Sequence, residues 1–474
     1  MTGLTEHVAR FIHEASARQF PSGVPDKAKR AITDTFAAIL AGASSEVKEP
    51  LMRYLALGAG RGGNSPILGA ACRADPEIAA LINGSFGHAT DFDDVLSIMP
   101  AHPSAIIVAA LIADLDVHPL NGAAFIEAYV VGIEIGARIA QGITVGHYDR
   151  GFHGTGTLGI FSAVGALAKA WRLDIPTTRQ AFGIAASMAS GLRRNFGTMT
   201  KPLHTGLAAR NALAAVRLAS CGFTAASDVL EAKSGFYAAY GVPESDPAVA
   251  LGALDQSGWV IANPGIALKK FACCYASHRA LDGVLQLRDE LGVEADDVAR
   301  LTCHMPPGGM LALTYPKPVT GLEGKFSLQY SLATGLLDGR YSLASFTDAA
   351  VNRPEIKTLL PRIDAFEDEA CRSDDPLFET RSSGSRGFVV VAFELRDGSR
   401  RSVRIDKAPG HPSRELSWTE IEAKLKDCAA AATMPEAASA AAFETLRNFE
   451  RTASVSAFAA TLCQHSPTER SLLT

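Results

Sequence analysis

Apolar positions in the first half of the chain recur in stretches of helix length, which Gly, Pro, Ser and Asp separate. Residues 123–139 are apolar on almost every side, and their few charged residues, Glu127, Glu134 and Arg138, fall on one stripe. This pattern predicts a helix buried in a large bundle. A second helix is predicted over residues 205–221, because a Gly-containing turn precedes it and a glycine follows it.

The pattern changes after about residue 267. Residues 299–304 are predicted to form a strand, and residues 388–395 and 402–405 a hairpin on a tight turn. A helical pattern returns after residue 409. We therefore predict a mostly α fold with an α+β lid, in which both ends of the chain form a large helical bundle domain around a smaller inserted α+β domain. The predicted limits are 1–267 and 409–474 for the helical domain and 268–408 for the lid.

Length and charge narrow the classes of function. A chain of 474 residues is longer than one hydrophobic core usually organises, so two folding units are expected. With 20% charged and 47% hydrophobic residues, the composition is that of a packed globular protein rather than a disordered one. The net charge of −5 and the lack of a basic run argue against a nucleic-acid partner. An anionic substrate would therefore require a local positive pocket.

The eight cysteines show no C-x-x-C pair and no regular spacing, so neither a zinc ribbon nor a disulfide framework is indicated. A charged residue occurs within the first few positions of the chain, and the amino terminus has no apolar core of signal-peptide length. No apolar run reaches the roughly eighteen residues of a membrane span. We therefore expect a cytoplasmic protein with no membrane partner.

The segment Gly154-Thr-Gly156-Thr-Leu-Gly159 has the spacing of a dinucleotide-binding fingerprint, with Asp174 further along the chain. A true fingerprint follows a buried strand, whereas residues 145–153 are too polar to form one. The glycines are instead predicted to let helices approach closely, and no cofactor is expected.

Three acids, Asp91, Asp93 and Asp94, precede His102 and Pro103, which open an apolar helix. Proline suits the first helical position, so His102 would cap the helix beside the positive end of its dipole, where a neutral imidazole is favoured. A neutral histidine can act as a base. An equally open interpretation is a helix cap beside a solvated acidic loop. No second run of metal ligands with suitable spacing is found, so no metal site is expected.

Two further segments contain several ionisable side chains next to small residues. His147, Tyr148 and His153 lie in a predicted loop before a small-residue helix, where a ligand has room, although a glycine turn with exposed polar side chains is an alternative. In the basic segment that follows, Lys201 and His204 stand among turn-forming residues and are predicted to line a pocket for carboxylates. Its two arginines are as readily explained as solvated side chains.

Residues 269–278 lie at the predicted domain junction, and residues 324–330 lie within the predicted lid. Clefts between domains commonly bind ligands, so Lys269, His278 and Tyr330 are candidates for substrate contact. A thiol nucleophile in this region is not favoured, because buried small cysteines are the commoner case and no neighbouring residue activates the sulfur.

Taken together, these segments resemble the MmgE/PrpD family, which includes 2-methylcitrate dehydratase, cis-aconitate decarboxylase and iminodisuccinate epimerase. The resemblance covers nearly the whole chain and implies a large helical domain with an α+β lid, usually as a dimer. The matching blocks, in the order of the family, are His88-Ala-Thr-Asp-Phe-Asp-Asp94, His102-Pro-Ser104, Gly151-Phe-His153, Thr200-Lys-Pro-Leu-His204, Lys269 to His278 and Lys325-Phe-Ser-Leu-Gln-Tyr330.

The resemblance also implies an active site, carried over position by position to Asp91, His102, His153, Lys201, Lys269 and His278. One position departs from the lyase members: Val95 stands where the decarboxylase and many dehydratases have Thr or His. This departure, a longer linker to His102 and the segment around Tyr148 are more similar to the epimerase branch.

We therefore expect a cofactor-independent acid/base enzyme that acts next to a carboxylate of a small di- or tricarboxylic acid, most similar to 2-methylcitrate dehydratase. An epimerase of the iminodisuccinate type and a non-catalytic binding protein are the alternatives. Proton transfer is assigned to His102 or His153, tautomer fixing to Asp91 and a reserve acid role to Tyr148. The residues expected to bind substrate are Lys201, His204, Lys269, His278 and Tyr330. A homodimer is expected, with no nucleic-acid or membrane partner.

Overall fold

The structure is a computed structural model that describes residues 3–58, 62–256, 258–376 and 378–463. The chain forms two compact units. Unit 1 takes the described residues within Met1–Arg194, Thr200–Ile266 and Ser417–Thr474, and unit 2 those within Asn195–Met199 and Ala267–Leu416.

Unit 1 is almost entirely helical. Every residue of the helix Pro103–Ala113 is buried, and the helix Gly122–Ile143 carries the long apolar pattern predicted from the sequence. Inside the latter, Arg138 Nε donates to Glu134 Oε1 at 2.7 Å, so two charges of its stripe neutralise each other. The α-helices are Leu4–Glu14, Val24–Gly42, Lys48–Ala56, Pro76–Ala89, Pro103–Ala113, Gly122–Ile143, Gly146–Asp149, Gly154–Thr157, Gly159–Trp171, Ile175–Ala186, Thr200–Ser220, Phe236–Tyr240, Pro247–Leu254, Trp418–Ala431, Glu436–Arg447 and Val455–Thr461, and two short strands, β1 (Ser65–Pro66) and β2 (Arg73–Ala74), pair antiparallel.

Close packing of two helices brings the ionisable side chains of unit 1 together. The helices Pro76–Ala89 and Thr200–Ser220 approach so closely that a Cβ atom on Gly206 would lie 2.1 Å from the main-chain oxygen of Leu81. Residues at the end of the first helix therefore meet residues in the first turn of the second.

The start of this second helix corrects a sequence prediction. We predicted the helix from residue 205, whereas it begins at Thr200 and includes Lys201 and His204. Pro202 lies in its first turn, where the missing N–H group would have no helical partner in any case. Proline and glycine at these positions predict a turn, although both fit within this helix.

The C-terminal part of the chain packs into unit 1 through a buried lysine. The helix Trp418–Ala431 is capped by Ser417 and supplies Lys424, whose Nζ lies 2.6 Å from Asp34 Oδ1 and 2.7 Å from the main-chain oxygen of Phe92. Because Phe92 belongs to the acidic segment after the helix Pro76–Ala89, this contact fixes the path of that segment.

Unit 2 is built on a four-stranded sheet of β3 (Val298–Met305), β4 (Ile363–Glu367), β5 (Val389–Leu395) and β6 (Arg400–Ile405), in the order β4-β3-β5-β6. The strand predicted at residues 299–304 is β3, and the predicted hairpin is formed by β5 and β6, with Val391 opposite Val403. The helix His278–Leu291 packs on the sheet at Gly283, where a Cβ atom would lie 2.8 Å from the Val391 side chain. The α-helices of unit 2 are His278–Leu291, Gly321–Gly324, Leu328–Asp338, Asp348–Val351 and Pro354–Leu359.

The fold class predicted from the sequence is thus confirmed: a mostly helical protein with a smaller α+β part. Among the helices that the structure describes, none combines the length and the apolar composition required to cross a bilayer.

Candidate active site

The acidic segment that follows the helix Pro76–Ala89 folds into unit 1. Asp91 has a left-handed backbone with a φ of 53°, a conformation that aspartate tolerates better than most residues. Asp91, Asp93 and Asp94 are at most 3% exposed. The solvated acidic loop that the sequence left open as an alternative is therefore wrong.

Asp93 holds the ring of His88. Its Oδ2 and Oδ1 atoms lie 2.8 Å and 3.0 Å from His88 Nδ1, and both side chains are fully buried. His102 Nδ1 lies 3.6 Å from Asp93 Oδ1. The ring centroid of His88 lies 4.5 Å from that of His102 and 5.6 Å from that of His153. His88 therefore adjoins both histidines that the sequence assigned to proton transfer.

His102 occupies the cap position before Pro103, as the sequence predicted. Its Nδ1 atom lies 2.6 Å from the main-chain oxygen of Asp94. Because a carbonyl oxygen only accepts hydrogen bonds, Nδ1 carries the proton, and Nε2 of the neutral ring carries the lone pair of a base. The main chain of Asp94 thus fixes this tautomer, a role that the sequence assigned to Asp91.

The side chain of Asp94 lies at the end of a buried hydrogen-bond chain. Ser104 Oγ donates to Asp94 Oδ2 at 2.5 Å and lies 2.6 Å from the hydroxyl oxygen of Tyr129. Burial raises the pKa of Asp94 to about 8, an effect larger than the opposing one of the Ser104 hydrogen bond. Asp94 is therefore mostly protonated at neutral pH.

Lys201 and Asp91 form a buried ion pair between the two closely packed helices. Lys201 Nζ donates to Asp91 Oδ1, and the two residues are 4% and 3% exposed. A buried pair of this kind costs desolvation, so its position next to several histidines suggests a chemical role rather than stabilisation alone.

Two neutral histidines lie beside this lysine. Nδ1 of His153 lies 3.0 Å from Nδ1 of His204. Burial, followed by the charge of Lys201, lowers the pKa of His204 to about 4 and that of His153 well below its usual value. With both rings neutral, one Nδ1 must donate and the other accept, so the two rings hold opposite tautomers.

The glycines near these histidines serve packing, as the sequence predicted. A Cβ atom on Gly156 would lie 2.1 Å from the main-chain oxygen of Ser190, and one on Gly191, whose φ is 138°, would lie 3.3 Å from the His204 ring. The helix Gly146–Asp149 precedes the glycines where a dinucleotide fingerprint would require a strand.

The loop predicted around His147 is wrong, because these residues form a short helix and His147 is fully buried. His147 Nδ1 donates to the main-chain oxygen of Tyr240 at 2.8 Å, and Nε2 lies 2.7 Å from Thr157 Oγ1. This histidine is structural. The guanidinium of Arg193 lies 4.1 Å from the ring centroid of Tyr148, and the reserve acid role of this tyrosine stays a prediction.

The remaining predicted residues belong to unit 2. Lys269 and His278 are fully buried, and His278 Nε2 donates to the main-chain oxygen of Cys273 at 3.2 Å, which leaves the lone pair of the neutral ring on Nδ1. Burial raises the pKa of Tyr330, whose hydroxyl donates to the main-chain oxygen of Ser345. The structure thus brings together Asp91, His102, His153, Lys201 and His204 in unit 1 and places these three in unit 2.

The sequence did not predict roles for three residues that position the candidate site, His88, Asp93 and Asp94. These three residues belong to the same motif as Asp91, the one residue of that segment for which the sequence predicts a role. The five-residue spacing of His88 and Asp93 across the end of a helix was a usable signal for their pairing. The contact between Ser104 and Tyr129 joins two separate helices, so no local sequence pattern predicts it.

One group of side chains has donor atoms that could bind a metal ion. One ligand atom each from His88, Asp91 and His102 lies within 4.8 Å of the others. Three such ligands match the number found in catalytic zinc sites. The ammonium group of Lys201 already pairs with Asp91, and its positive charge opposes a divalent cation at this position.

Unit 1 is thus a mostly helical unit in which a buried lysine–aspartate pair lies beside neutral histidines, and unit 2 is a smaller α+β unit. Comparison with known proteins identifies the family. The models of the MmgE/PrpD N-terminal domain and C-terminal domain match residues 6–246 and 271–448. The chain therefore belongs to the MmgE/PrpD family.

Several characterised relatives are similar along most of their length. Cis-aconitate decarboxylase of Mus musculus is 28% identical over 440 residues, which cover 90% of this chain and 86% of the relative. The enzyme of the same name from Homo sapiens is 28% identical over 439 residues, with 90% and 88% coverage. That of Aspergillus terreus is 26% identical over 446 residues, with 86% of each chain covered.

Proposed function

We propose that this protein is a lyase that moves a proton next to a carboxylate of a small di- or tricarboxylic acid. The observation that carries the proposal is the position of the buried Lys201 beside His153 and His204, which are neutral at pH 7. The name of the relatives, cis-aconitate decarboxylase, supports a lyase and a substrate with several carboxylates.

Removing a proton α to a carboxylate adds a second negative charge to that carboxylate group, which becomes an enediolate. The site must therefore offset this charge while a base with a pKa near neutral accepts the proton. Lys201 supplies the positive charge in a buried setting, where electrostatic interactions are strong. His102 supplies the base, because its Nδ1 proton is engaged by Asp94 and its basic atom is Nε2.

A lyase that removes water also needs an acid for the leaving hydroxyl group. Since His153 and His204 hold opposite tautomers, one ring carries a proton on Nε2 and the other a lone pair there. The ring with the Nε2 proton can donate it to the leaving group. The C–O bond then breaks, water leaves and an alkene remains.

Within the lyases, we keep dehydration of a 2-methylcitrate-type acid as the first candidate, in line with the sequence resemblance. Decarboxylation of a cis-aconitate-type acid is the second, and the names of the relatives favour it. In that reaction a C–C bond breaks, carbon dioxide leaves and a protein group returns one proton to the substrate carbon. The same lysine and histidines serve both reactions.

Product analysis in heavy water tests the proposal. Purified protein is incubated separately with 2-methylcitrate, cis-aconitate and aspartate-derived diacids, and the products are followed by NMR and by carbon dioxide release. A new alkene with loss of water indicates dehydration, and carbon dioxide indicates decarboxylation. Deuterium gained at an α-carbon with neither product would overturn the lyase in favour of an epimerase. Binding without any turnover would overturn it in favour of a binding protein.

A matched pair of variants ties the activity to the site. Lys201→Met should abolish turnover, whereas Arg217→Met should retain it, because Arg217 is partly exposed and pairs with Asp114. Equal effects of the two substitutions would remove Lys201 from the proposal. The homodimer and the cytoplasmic location expected from the sequence stay predictions, and light scattering of the purified protein tests the first.

A further inference from the structure

Unit 2 contains a buried arginine that lies outside the proposed reaction. Arg279 is 2% exposed, and its Nη1 atom donates to the main-chain oxygen of Gly387 at 2.6 Å. Within the described part of the chain, Nε and Nη2 have no hydrogen-bond acceptor. Donors without acceptors on a buried cation cost free energy, so a negatively charged ligand at these atoms would stabilise the folded unit.

The two atoms without acceptors lie on the same edge of the guanidinium group. Nε–H and Nη2–H together form a planar fork, which matches two oxygens of a carboxylate or a phosphate. Burial lowers the pKa of Arg279 to about 10, which is still well above neutral. The fork is therefore charged under physiological conditions.

Other groups around Arg279 also favour an anion. The hydroxyl of Tyr275, four residues earlier, is buried and has no hydrogen-bond partner among the described residues. Arg279 lies at the amino-terminal end of the helix His278–Leu291, where the helix dipole is positive and a cation is disfavoured. Burial lowers the pKa of Lys407, and the nearby charges of Arg279 and Arg381 lower it further.

The carboxylates whose charges act on Arg279 or Lys407 pair with other arginines. Asp406 lies 2.7 Å from Arg404, and Asp375 lies 3.2 Å from Arg381. Neither carboxylate forms an ion pair with Arg279 in the described residues. The positive charge of Arg279 thus has a main-chain oxygen as its direct partner rather than a carboxylate.

We propose that unit 2 binds a small oxyanion, a phosphate group or a carboxylate, on the Nε/Nη2 edge of Arg279 with the hydroxyl of Tyr275 as an additional donor. This site is independent of the lyase chemistry proposed for unit 1. It would couple the stability of unit 2 to the concentration of the anion, because a ligand that binds only the folded state stabilises it.

Thermal unfolding and titration calorimetry test the proposal on the full chain. Wild-type protein and the Arg279→Met, Tyr275→Phe and Arg401→Met variants are measured with inorganic phosphate, acetate and sodium chloride at matched ionic strength. Arg401 is exposed on β6 and serves as the control for loss of a positive charge. Methionine keeps much of the volume of arginine and removes the buried charge, so Arg279→Met should fold.

We expect phosphate or acetate to raise the unfolding temperature of the wild type and of Arg401→Met beyond the effect of sodium chloride. The dissociation constant should rise at least about tenfold in Arg279→Met and by a smaller factor in Tyr275→Phe. The salt that acts identifies the oxyanion as a phosphate or a carboxylate. An equal response of Arg279→Met and wild type, or no response beyond that to sodium chloride, overturns the proposal.

Discussion

The Nδ1 atoms of His153 and His204 lie 3.0 Å apart in two rings whose pKa values burial lowers. One proton occupies this contact, so one ring exposes a basic Nε2 and the other an acidic Nε2–H. Once the basic Nε2 has accepted a proton and the acidic Nε2–H has donated one, transfer of the shared proton from one Nδ1 to the other leaves both rings neutral with their roles exchanged. A reaction that removes a proton and then returns one can use such a pair in both directions.

The first prediction tests this pairing. His204→Gln should lower kcat by roughly 100-fold, because His153 loses the partner that sets its tautomer. The pH profile of kcat should change as well, which a purely structural effect would not produce. His147→Gln is the control, since His147 is bonded to Tyr240 and Thr157. Similar losses of kcat in both variants would contradict the assignment of His204.

The second prediction concerns the ion pair of Lys201 and Asp91. Lys201→Met should destabilise the protein by about 3–5 kcal/mol, because it leaves a buried carboxylate without its cation. The double variant with Asp91→Asn should recover most of this loss while remaining inactive. Urea unfolding measures the first effect and the product assay the second. Additive destabilisation by the two substitutions would show that the residues do not interact.

The sequence was sufficient for the fold class, because both the long apolar helix Gly122–Ile143 and the hairpin of β5 and β6 have local patterns. It also identified His102 as a helix cap, since Pro103 favours the first helical position. The start of the helix Thr200–Ser220 was placed too late, because proline and glycine fit either a turn or a tightly packed first turn.

The contacts within the site were harder to predict. His153 and His204 are 51 positions apart, and only the tertiary packing of two segments brings their rings together. The pKa of Asp94 depends on its complete burial, which its place in an acidic motif did not suggest. Side chains that look solvated in the sequence can therefore be part of the core when glycines let helices approach closely.

The third prediction uses the raised pKa of Asp94. In the unfolded chain this carboxyl loses its proton near pH 3.8, whereas in the folded protein it keeps the proton up to about pH 8. Its contribution to stability is therefore fully present below pH 3.8 and is lost as the pH rises to about 8. Asp94→Asn should not show this loss. The free energy of unfolding of the variant, relative to that of the wild type, should therefore rise with pH over this range by at most about 1.4 kcal/mol per pH unit. Urea unfolding at several pH values measures it, and a constant difference would show that Asp94 titrates normally.

The fourth prediction has the opposite sign and concerns His147. Burial lowers its pKa from 6.5 to about 4, so the unfolded chain takes up a proton over this range while the folded protein does not. The stability that it contributes is present above pH 6.5 and is lost as the pH falls to about 4. His147→Gln should make stability less dependent on pH in this window, with little change in the difference from wild type above pH 7. A parallel pH dependence in both proteins would contradict the lowered pKa.

The last prediction is that turnover survives exhaustive chelation, although His88, Asp91 and His102 have donor atoms within 4.8 Å of each other. A divalent ion at these atoms would have to compete with the ammonium group of Lys201 for Asp91. Wild-type protein dialysed against EDTA and phenanthroline should therefore keep its kcat, and added zinc should not raise it. Lys201→Met supplies the comparison, because removing the ammonium group should let zinc bind at least about tenfold more tightly, as measured by calorimetry. Loss of wild-type turnover on chelation, restored by a divalent ion, would show that a metal and not Lys201 offsets the charge of the substrate.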